Sequence, residues 1–510
     1  MKQYYLGIEF GSTRVKAVLI DGEHRIVKSG DYTWKSSLEN GVWTYHMEDV
    51  QDGLRTAIRN LGELPGAVSA MGISGMMHGY LAFDKDWNLL APFRTWQNTM
   101  TGEAAEQLTA EFGFNIPQRW SIAHLYQAVL NGEAHVKNIA HITTLAGYVH
   151  YLLTGENVLG VGEASGMFPI DSETLDYDAA MLEKFDALLA KYGFAWMARS
   201  VLPKVLMAGQ AAGKLTQAGR TFLEGLLPAG IPFCPPEGDA GTGMTATNAV
   251  APRTGNVSAG TSIFAMVVLE KPLSKVYQEI DMVTTPSGKP VAMVHCNNCT
   301  NDMNAWVGLL GETAKLFGAD VSTGELFTKL YQKSLEGDAD CSGVLTYNYM
   351  AGEGVTHLDE GRPMGVRKPE SQFTLANFLR SQLYATMSTL KLGMDILAEE
   401  HVAIDSLTGH GGLFKTPVVG QKYMAAACRA PGTCMESAGE GGPYGMALLA
   451  SYLVQKKDGQ TLEQYLETEV FADVKRTTLA PDPEDAAGFD RYLGWYRSAL
   501  AAETAAVNAF

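Results

Sequence analysis

Asp239 has the residue type and the setting of a group that could accept a proton. It lies in the segment Glu237-Gly238-Asp239-Ala240-Gly241, where glycines let a carboxylate project at the start of a predicted helix. The helix dipole favours the ionised form of a carboxylate at that position. Transfer of a phosphoryl group to an alcohol needs such a carboxylate to take up the hydroxyl proton. An aspartate that only caps a helix has the same local sequence, so Asp239 alone leaves both interpretations open.

Glycine-rich turns can surround phosphate groups, because glycine lets backbone N–H groups approach an anion and Ser or Thr adds hydroxyl donors. Four such turns occur along the chain: Gly11-Ser12-Thr13, Gly260-Thr261-Ser262, Gly409-His410-Gly411-Gly412 and Gly439-Glu440-Gly441-Gly442. For one turn alone, a simple reversal of the chain is the expected explanation. Four turns together with Asp239 favour a site for phosphate groups.

The strands around the first two turns follow the same pattern, about half a chain apart. Alternating apolar residues predict a strand over residues 4–8 and a returning strand over residues 15–19. Val257 precedes the second turn, and an apolar run over residues 263–269 follows it. This weak repeat predicts two related domains, each of which presents a turn of hydroxyl and amide groups.

A chain of 510 residues is too long for one core, so at least two domains are expected. A turn over residues 252–255 marks the predicted boundary, which gives an N-terminal domain over 1–253 and a C-terminal domain over 254–510. Helical periodicity is clear over 374–400 and 417–428, and an amphipathic helix near the end predicts a helical C-terminal tail.

The composition excludes several classes of partner. The chain has 39 Lys and Arg against 56 Asp and Glu, for a net charge of −17. Nucleic acid and anionic membranes both require a positive surface, so neither is expected as a partner. The sequence has no run of about 18 apolar residues. It also has no signal-peptide pattern before the first strand. A cytoplasmic location is therefore expected.

The cysteines do not predict a metal or redox site. Six cysteines are too few for a disulfide scaffold in a chain of this length. Cys296 and Cys299 form a Cys-x-x-Cys pair, which could be a redox pair or half of a zinc site. A closed zinc site needs further ligands at matching spacing, and the sequence has no second such pair. Two ordinary reduced thiols are the favoured interpretation.

Six motifs, in chain order, resemble those of the FGGY family of carbohydrate kinases. They are the first phosphate motif at 7–13, the sugar-binding strand end of the xylulokinase branch at 72–79, the Trp-x-Asp/Asn segment of that branch at 94–98, the catalytic aspartate at 238–240, the second phosphate motif at 258–262 and the adenosine motif at 409–412. The resemblance extends from residue 4 to about residue 455 and therefore covers most of the chain.

The resemblance implies an α/β fold of two duplicated ribonuclease-H-like domains, of the actin and hexokinase ATPase type, around a central cleft. It implies an ATP- and Mg²⁺-dependent kinase acting on a ketose, most simply a xylulose-like sugar. The alternatives are a kinase of the same family for ribulose, fuculose, gluconate or glycerol, or a non-catalytic ATP-gated sugar sensor. Sugar and ATP are the implied partners, and a homodimer is an open alternative to a monomer.

The resemblance also assigns roles to individual residues. Asp239 is the implied catalytic base, and Glu9 and Asp239 are the implied metal ligands. The implied sugar-binding residues are Met77, His78, Trp96, Asn98 and Asp239. The implied ATP-binding residues are Ser12, Thr13, Lys16, Gly260, Thr261, Asn301, Gly411, Gly412 and Thr416.

Three features depart from the family's pattern. Glu9 stands where the first motif usually has aspartate, and its extra methylene still lets it reach Mg²⁺ through water. The segment 119–126 lacks the lysine of the family's first signature, and His124 lies near that place. Glu237 adds a carboxylate beside Asp239, where it could raise the pKa of the base by repulsion or cap the helix that starts at Asp239.

Overall fold

The structure is a computed structural model that describes residues 2–436 and 441–509. The fourth glycine turn, over residues 439–442, lies partly outside the described residues. The chain forms two compact units. Unit 1 comprises residues 1–252, 270–291 and 440–474, and unit 2 comprises residues 253–269, 292–439 and 475–510. The two domains predicted from the sequence, over 1–253 and 254–510, are defined differently from these units, and their boundary stays a prediction.

The strands and helices alternate along most of the chain. The strands are β1 (Tyr4–Phe10), β2 (Arg14–Asp21), β3 (Ile26–Thr33), β4 (Ser37–Glu39), β5 (Val42–Thr44), β6 (Val68–Gly75), β7 (Leu81–Phe83), β8 (His141–Thr143), β9 (Val158–Gly160), β10 (Lys204–Leu206), β11 (Glu237–Gly238), β12 (Thr254–Ala259), β13 (Ile263–Val268), β14 (Ile280–Thr284), β15 (Pro290–Cys296), β16 (Val344–Tyr347), β17 (Met364–Arg367), β18 (Ser406–Gly411), β19 (Gly432–Met435) and β20 (Arg476–Leu479). The helices are α1 (Met47–Arg59), α2 (Gly102–Phe112), α3 (Ser121–Leu130), α4 (Leu145–Thr154), α5 (Val161–Ala164), α6 (Ala179–Leu189), α7 (Ala198–Val201), α8 (Gln217–Phe222), α9 (Asp239–Ala246), α10 (Asn301–Leu316), α11 (Thr323–Ser334), α12 (Leu375–Glu399), α13 (Val419–Cys428), α14 (Gly442–Gln455), α15 (Leu462–Tyr465), α16 (Pro483–Ser498) and α17 (Leu500–Ala509). The helices predicted over 374–400 and 417–428 are confirmed as α12 and α13.

The main sheet of unit 1 has the order β11-β6-β1-β2-β3. β1 pairs antiparallel with β2 and parallel with β6, and β11 pairs parallel with β6. The antiparallel β1–β2 pair is the hairpin predicted around the first glycine turn. Side chains of β1 such as Leu6, Ile8 and Phe10 are fully buried, because helices cover the sheet.

The sheet of unit 2 repeats this order as β15-β13-β12-β18-β19, followed by β20. β12 pairs antiparallel with β13 around the second glycine turn, and it pairs parallel with β18. In both units the first strand therefore lies between its hairpin partner and a parallel strand. The predicted α/β architecture with a duplicated ribonuclease-H-like sheet is confirmed.

Two further expectations concern membranes and cysteines. In the part of the chain that the structure describes, no helix is both long and apolar enough to cross a membrane. Cys296 and Cys299 are buried free thiols, at the end of β15 and just before α10. Burial raises the pKa of the Cys299 thiol to about 12, which keeps it protonated and poorly reactive. The interpretation of the pair as ordinary reduced thiols agrees with this setting.

Helix α14 packs closely against β1 and α9 in unit 1, because glycines remove side chains from the contacts. A side chain at Gly7 of β1 would overlap the backbone of α14. Gly445 of α14 faces α9, where an added Cβ would overlap Thr242 O and lie 2.7 Å from Thr242 C. The close approach matters because β1 and α9 carry two of the predicted site residues, Glu9 and Asp239.

We expect Gly445→Ala to destabilise unit 1 by about 1–3 kcal/mol, because the new methyl group meets backbone that cannot rotate away. Urea unfolding followed by circular dichroism measures the change. Gly494→Ala is the matched control, because an added Cβ on this exposed residue of α16 has no neighbour within 4 Å. The control should gain about 0.5–1 kcal/mol from helix propensity. Equal changes in the free energy of unfolding for the two substitutions would contradict the close packing of α14 against α9.

Candidate active site

The carboxyl ends of three parallel strands bring Glu9, Met77 and Asp239 of unit 1 together. In the sheet register, Ser74 of β6 lies opposite both Glu9 of β1 and Glu237 of β11. Met77 follows the end of β6, and Asp239 follows the end of β11. The Met77 N–H donates a hydrogen bond to Asp239 Oδ1 at 3.2 Å. Ligands of α/β sheets bind at such strand ends, so this edge is the candidate active site.

Asp239 is the first residue of α9 and is exposed to solvent. Desolvation by the surrounding protein raises the pKa of its carboxyl group, and hydrogen bonds from the N–H groups of Met77 and Ala240 partly offset this rise. The carboxylate accepts a hydrogen bond from the backbone N–H of Met77 at a different strand end, so its contacts are not limited to its own helix. Its exposure leaves it accessible to a substrate.

Glu9 is half-buried near Asp239. Burial and the negative charge of Asp239 raise the pKa of Glu9 to about 8, while Lys16 and the hydroxyl groups of Thr242 and Ser74 lower it in part. Lys16 lies opposite Glu9 in the antiparallel β1–β2 register. The two carboxyl groups thus repel each other, and a positive charge placed between them would relieve that repulsion.

The pair of carboxylates fits a magnesium ion. Among the described residues, Glu9 Oε2 is buried and has no hydrogen-bond partner. No set of three His, Cys, Asp or Glu side chains within residues 2–436 and 441–509 could hold a metal ion by itself. In enzymes that bind nucleotides, Mg²⁺ is commonly held by one or two carboxylates together with phosphate oxygens and water. Glu9 and Asp239 fit that donor set.

We expect the metal-free protein to lose stability as pH rises from about 5 to 8. Glu9 holds a proton in the folded state up to pH 8 but loses it near pH 4.5 when unfolded, so the folded state binds more protons in this window. Glu9→Gln removes the contribution of Glu9 to this dependence and leaves that of the other buried carboxyl groups. We therefore compare the melting temperatures of Glu9→Gln and of the natural protein at each pH. The melting temperature of the variant should rise relative to that of the natural protein between about pH 5 and 8, by on the order of a few °C. A difference that is constant across the window would contradict the raised pKa.

Met77 and His78, the predicted sugar-binding pair, are both buried. His78 Nδ1 lies 3.0 Å from Gly166 O, so the Nδ1–H tautomer donates to that carbonyl. The His78 ring is stacked at 6.0 Å from the Trp120 ring. These contacts fix the orientation of the imidazole beside the strand end.

The two other predicted sugar-binding residues differ in their surroundings. Trp96 is exposed, with 38% of its surface accessible. Asn98 is buried, and its side chain forms two hydrogen bonds of 2.8 Å with the backbone N–H and C=O of Trp43. The Asn98 amide therefore holds a neighbouring segment in place. The sugar-binding roles of both residues stay predictions.

Glu237 caps a helix other than the one that starts at Asp239. Its buried carboxylate accepts the backbone N–H groups of Gly162 at 3.4 Å and Glu163 at 2.9 Å, at the start of α5. Burial raises the pKa of Glu237 to about 8, although these hydrogen bonds lower it in part. The interpretation of Glu237 as a cap of the helix that starts at Asp239 is therefore wrong, because Glu237 caps α5.

His124 does not replace the positive charge of the family's lysine. It is completely buried, and burial together with the positive charge of Arg94 lowers the pKa of His124 to about 3. The imidazole is therefore neutral at physiological pH.

Two aromatic side chains form hydrogen bonds with the backbone of the first glycine turn, Gly11-Ser12-Thr13. Trp34 Nε1–H donates to Gly11 O at 2.7 Å, and the Tyr45 hydroxyl donates to Ser12 O at 2.6 Å. Ser12 and Thr13 are exposed. The carbonyl groups of the turn thus accept hydrogen bonds from within the protein. The Ser12 and Thr13 side chains, which were predicted to contact phosphate, are accessible to solvent.

The remaining predicted nucleotide-binding residues lie in unit 2, most of them after the carboxyl ends of β12 and β18 and Asn301 at the start of α10. Ala259 of β12 lies opposite Gly411 of β18, so the turn that begins at Gly260 lies next to Gly412. Thr300 Oγ1 donates to Gly260 O at 2.8 Å, and Cys299 N–H donates to Thr261 O at 3.1 Å.

The exposure of these unit 2 residues differs. Gly260, Thr261, Gly411 and Gly412 are exposed, Thr416 is buried, and Asn301 is partly exposed at the start of α10. Two glycine-containing turns thus adjoin at the carboxyl ends of neighbouring strands, where backbone N–H groups could approach an anion. The nucleotide contacts of the individual residues stay predictions.

Comparison with known proteins agrees with this arrangement of two sheets and their strand ends. The N-terminal domain of the FGGY family of carbohydrate kinases matches residues 4–245, and the C-terminal domain of that family matches residues 255–454. The chain belongs to the FGGY family of carbohydrate kinases.

Individual relatives are distant and carry different substrate names. The chain is 27% identical to a glycerol kinase of Thermococcus kodakarensis over 53% of this chain and 54% of that protein. It is 23% identical to a xylulose kinase of Haemophilus influenzae over 80% of this chain and 82% of that protein. The crystal structure of a ligand-bound xylulose kinase from Lactobacillus acidophilus superposes with a TM-score of 0.81 at 17% identity, and covers 98% of this chain and 99% of that one. The chain thus spans about half the length of this glycerol kinase and most of the length of these two xylulose kinases.

Proposed function

We propose that this protein transfers the γ-phosphoryl group of ATP to a hydroxyl group of a sugar, in the presence of Mg²⁺. The observation that carries the proposal is the convergence of Glu9, Met77 and Asp239 at adjacent strand ends, with the Met77 N–H bonded to Asp239. A base beside a sugar-binding strand end and two carboxylates for a metal are the groups this reaction needs. We expect the reaction to take place in the cytoplasm.

In the proposed reaction, Asp239 accepts the proton of a sugar hydroxyl while that oxygen forms a bond to the γ-phosphorus. The bond from the γ-phosphorus to the β–γ bridging oxygen breaks, and ADP leaves. In the metal-free protein, burial raises the pKa of Asp239 above that of an ordinary aspartate. Glu9 and Asp239 would hold Mg²⁺ together with phosphate oxygens, and the bound ion would supply charge neutralisation of the phosphates.

We propose a xylulose-like ketose as the substrate. The Met77-His78 pair supports this choice, since it matches the sugar-binding strand end of the xylulokinase branch. The xylulose kinase of Haemophilus influenzae, which aligns over 82% of its length at 23% identity, is one relative with that substrate name. Glycerol is the second candidate because of the Thermococcus kodakarensis glycerol kinase.

A coupled ADP-release assay with ATP, millimolar Mg²⁺ and a panel of ketoses, aldoses, polyols and sugar acids tests the proposal. Release stimulated by one ketose, at least tenfold above the rate without sugar, is the expected result. Stimulation by glycerol alone would overturn the ketose but keep the kinase. No release with any compound, while ATP still binds by calorimetry, would overturn the kinase in favour of a sugar sensor.

A further inference from the structure

Glu163 of α5 is a buried carboxyl group that the proposed reaction does not use. It is 0% exposed, and neither of its carboxyl oxygens makes a well-formed hydrogen bond among the described residues, although the Thr144 hydroxyl lies close to the group. Burying a carboxyl group with so few partners costs free energy, so its presence at this place needs an explanation. The residues around Glu163 supply one.

Glu163 contacts the residue that precedes the catalytic aspartate. A Cβ at Gly238 would overlap both Glu163 Oε2 and Met77 Cγ. The Glu163 carboxyl group and the Met77 side chain therefore both rest against Gly238. Because the Met77 N–H also donates to Asp239, the position of Gly238 links the sugar-binding residue to the base.

The helix that carries Glu163 is tied to the same segment by its backbone. Gly160 N–H donates to Pro236 O at 2.7 Å, and Glu163 N–H donates to Glu237 Oε2 at 2.9 Å. These bonds fix α5 relative to residues 236–238, so the Glu163 side chain has a defined place. It therefore acts as a fixed support rather than as a mobile group.

We propose that Glu163 is a positioning residue that holds Gly238 against Met77 and thereby fixes Asp239 for proton transfer. It acts through these residues and does not touch the substrate. The kinetic consequence rests on the proposed kinase function, whereas the support of the Met77–Asp239 contact does not. Because the support comes from shape, glutamine can replace Glu163 and alanine cannot.

Steady-state kinetics with the sugar found in the panel test the kinetic consequence. Glu163→Ala should lower kcat/KM for the sugar at least ~10-fold, since misplacement of a catalytic group is strongly felt in the rate, and should leave KM for ATP within about twofold. Glu163→Gln should recover most of the lost rate. Thr245→Ala is the matched control, because Thr245 is a buried polar residue of α9 whose hydroxyl donates to Gly241 O in its own helix.

Amide hydrogen exchange without sugar or ATP tests the support independently of turnover. Exchange in peptides that contain Met77 and residues 236–241 should rise at least ~10-fold in Glu163→Ala and change little in Glu163→Gln and Thr245→Ala. If Glu163→Ala does not fold, Glu163→Asp, which shortens the side chain by one methylene, takes its place in both experiments.

The outcomes separate the two proposals. If no sugar is phosphorylated by the natural protein, the kinase function fails, and the exchange data alone decide the role of Glu163. Unchanged exchange near Met77 in Glu163→Ala, or kinetics that match Thr245→Ala at equal loss of thermal stability, would overturn the positioning role. Loss of rate in Glu163→Gln as large as in Glu163→Ala would overturn it as well.

Discussion

Asp239→Asn should fold normally and reduce kcat at least ~100-fold with the sugar that the panel identifies, the usual scale for loss of a general base. The amide keeps an oxygen that can accept the Met77 N–H, so the local structure is retained. It cannot take up the hydroxyl proton, so the chemical step is slowed. Stopped-time measurement of ADP at saturating sugar and ATP gives kcat, and circular dichroism and the melting temperature verify folding.

Asp178→Asn is the control that separates a base from a helix cap. Asp178 accepts the backbone N–H of Met181 at 2.9 Å at the start of α6, so it is a capping aspartate of the ordinary kind. We expect this substitution to leave kcat within about twofold. Near-natural turnover in Asp239→Asn would show that Asp239 is also only a structural aspartate and would exclude it as the base.

The parts of the fold that could be predicted from the sequence are those encoded locally. Alternation of apolar residues on both sides of Gly11 and Gly260 predicts two hairpins, and both are present as β1–β2 and β12–β13. The position of Asp239 at a helix start could be predicted because it depends on adjacent residues alone, and the structure has Asp239 as the first residue of α9. Residue order therefore carries enough information for the two hairpins and for a carboxylate at that helix start, whereas the role of Asp239 as a base stays a prediction.

The surroundings of the base could not be predicted, because they depend on contacts between distant segments. Glu237 caps α5, more than 70 residues earlier in the chain, and no local pattern marks Glu163 as the side chain against Gly238. The glycine at 445 likewise acquires its role only where α14 meets α9. Unit 1 also includes residues 440–474 from the end of the predicted C-terminal domain, an arrangement that no boundary signal indicates.

Gly411→Ala should weaken ATP binding by about 10- to 100-fold. Gly411 has φ +96°, a conformation that side chains disfavour by about 1–3 kcal/mol, and an added Cβ would overlap Ala259 O and lie 3.0 Å from Ala259 C. Ala259 directly precedes Gly260. If the backbone at Ala259 and Gly411 moves apart to make room for the methyl group, the turn at Gly260 and the turn at Gly411 also move apart. Isothermal titration with ATP and Mg²⁺ measures the loss.

Gly365→Ala provides the comparison within the same unit. Gly365 lies in β17, has no positive φ, and an added Cβ there has no neighbour within 4 Å. We expect its ATP affinity to stay within about twofold of the natural value. Because sugar binding is proposed for unit 1, Gly411→Ala should still bind the sugar. Equal ATP affinity in the two variants would mean that the turns joined through Ala259 and Gly411 do not hold the nucleotide, and the ATP site would have to be sought elsewhere.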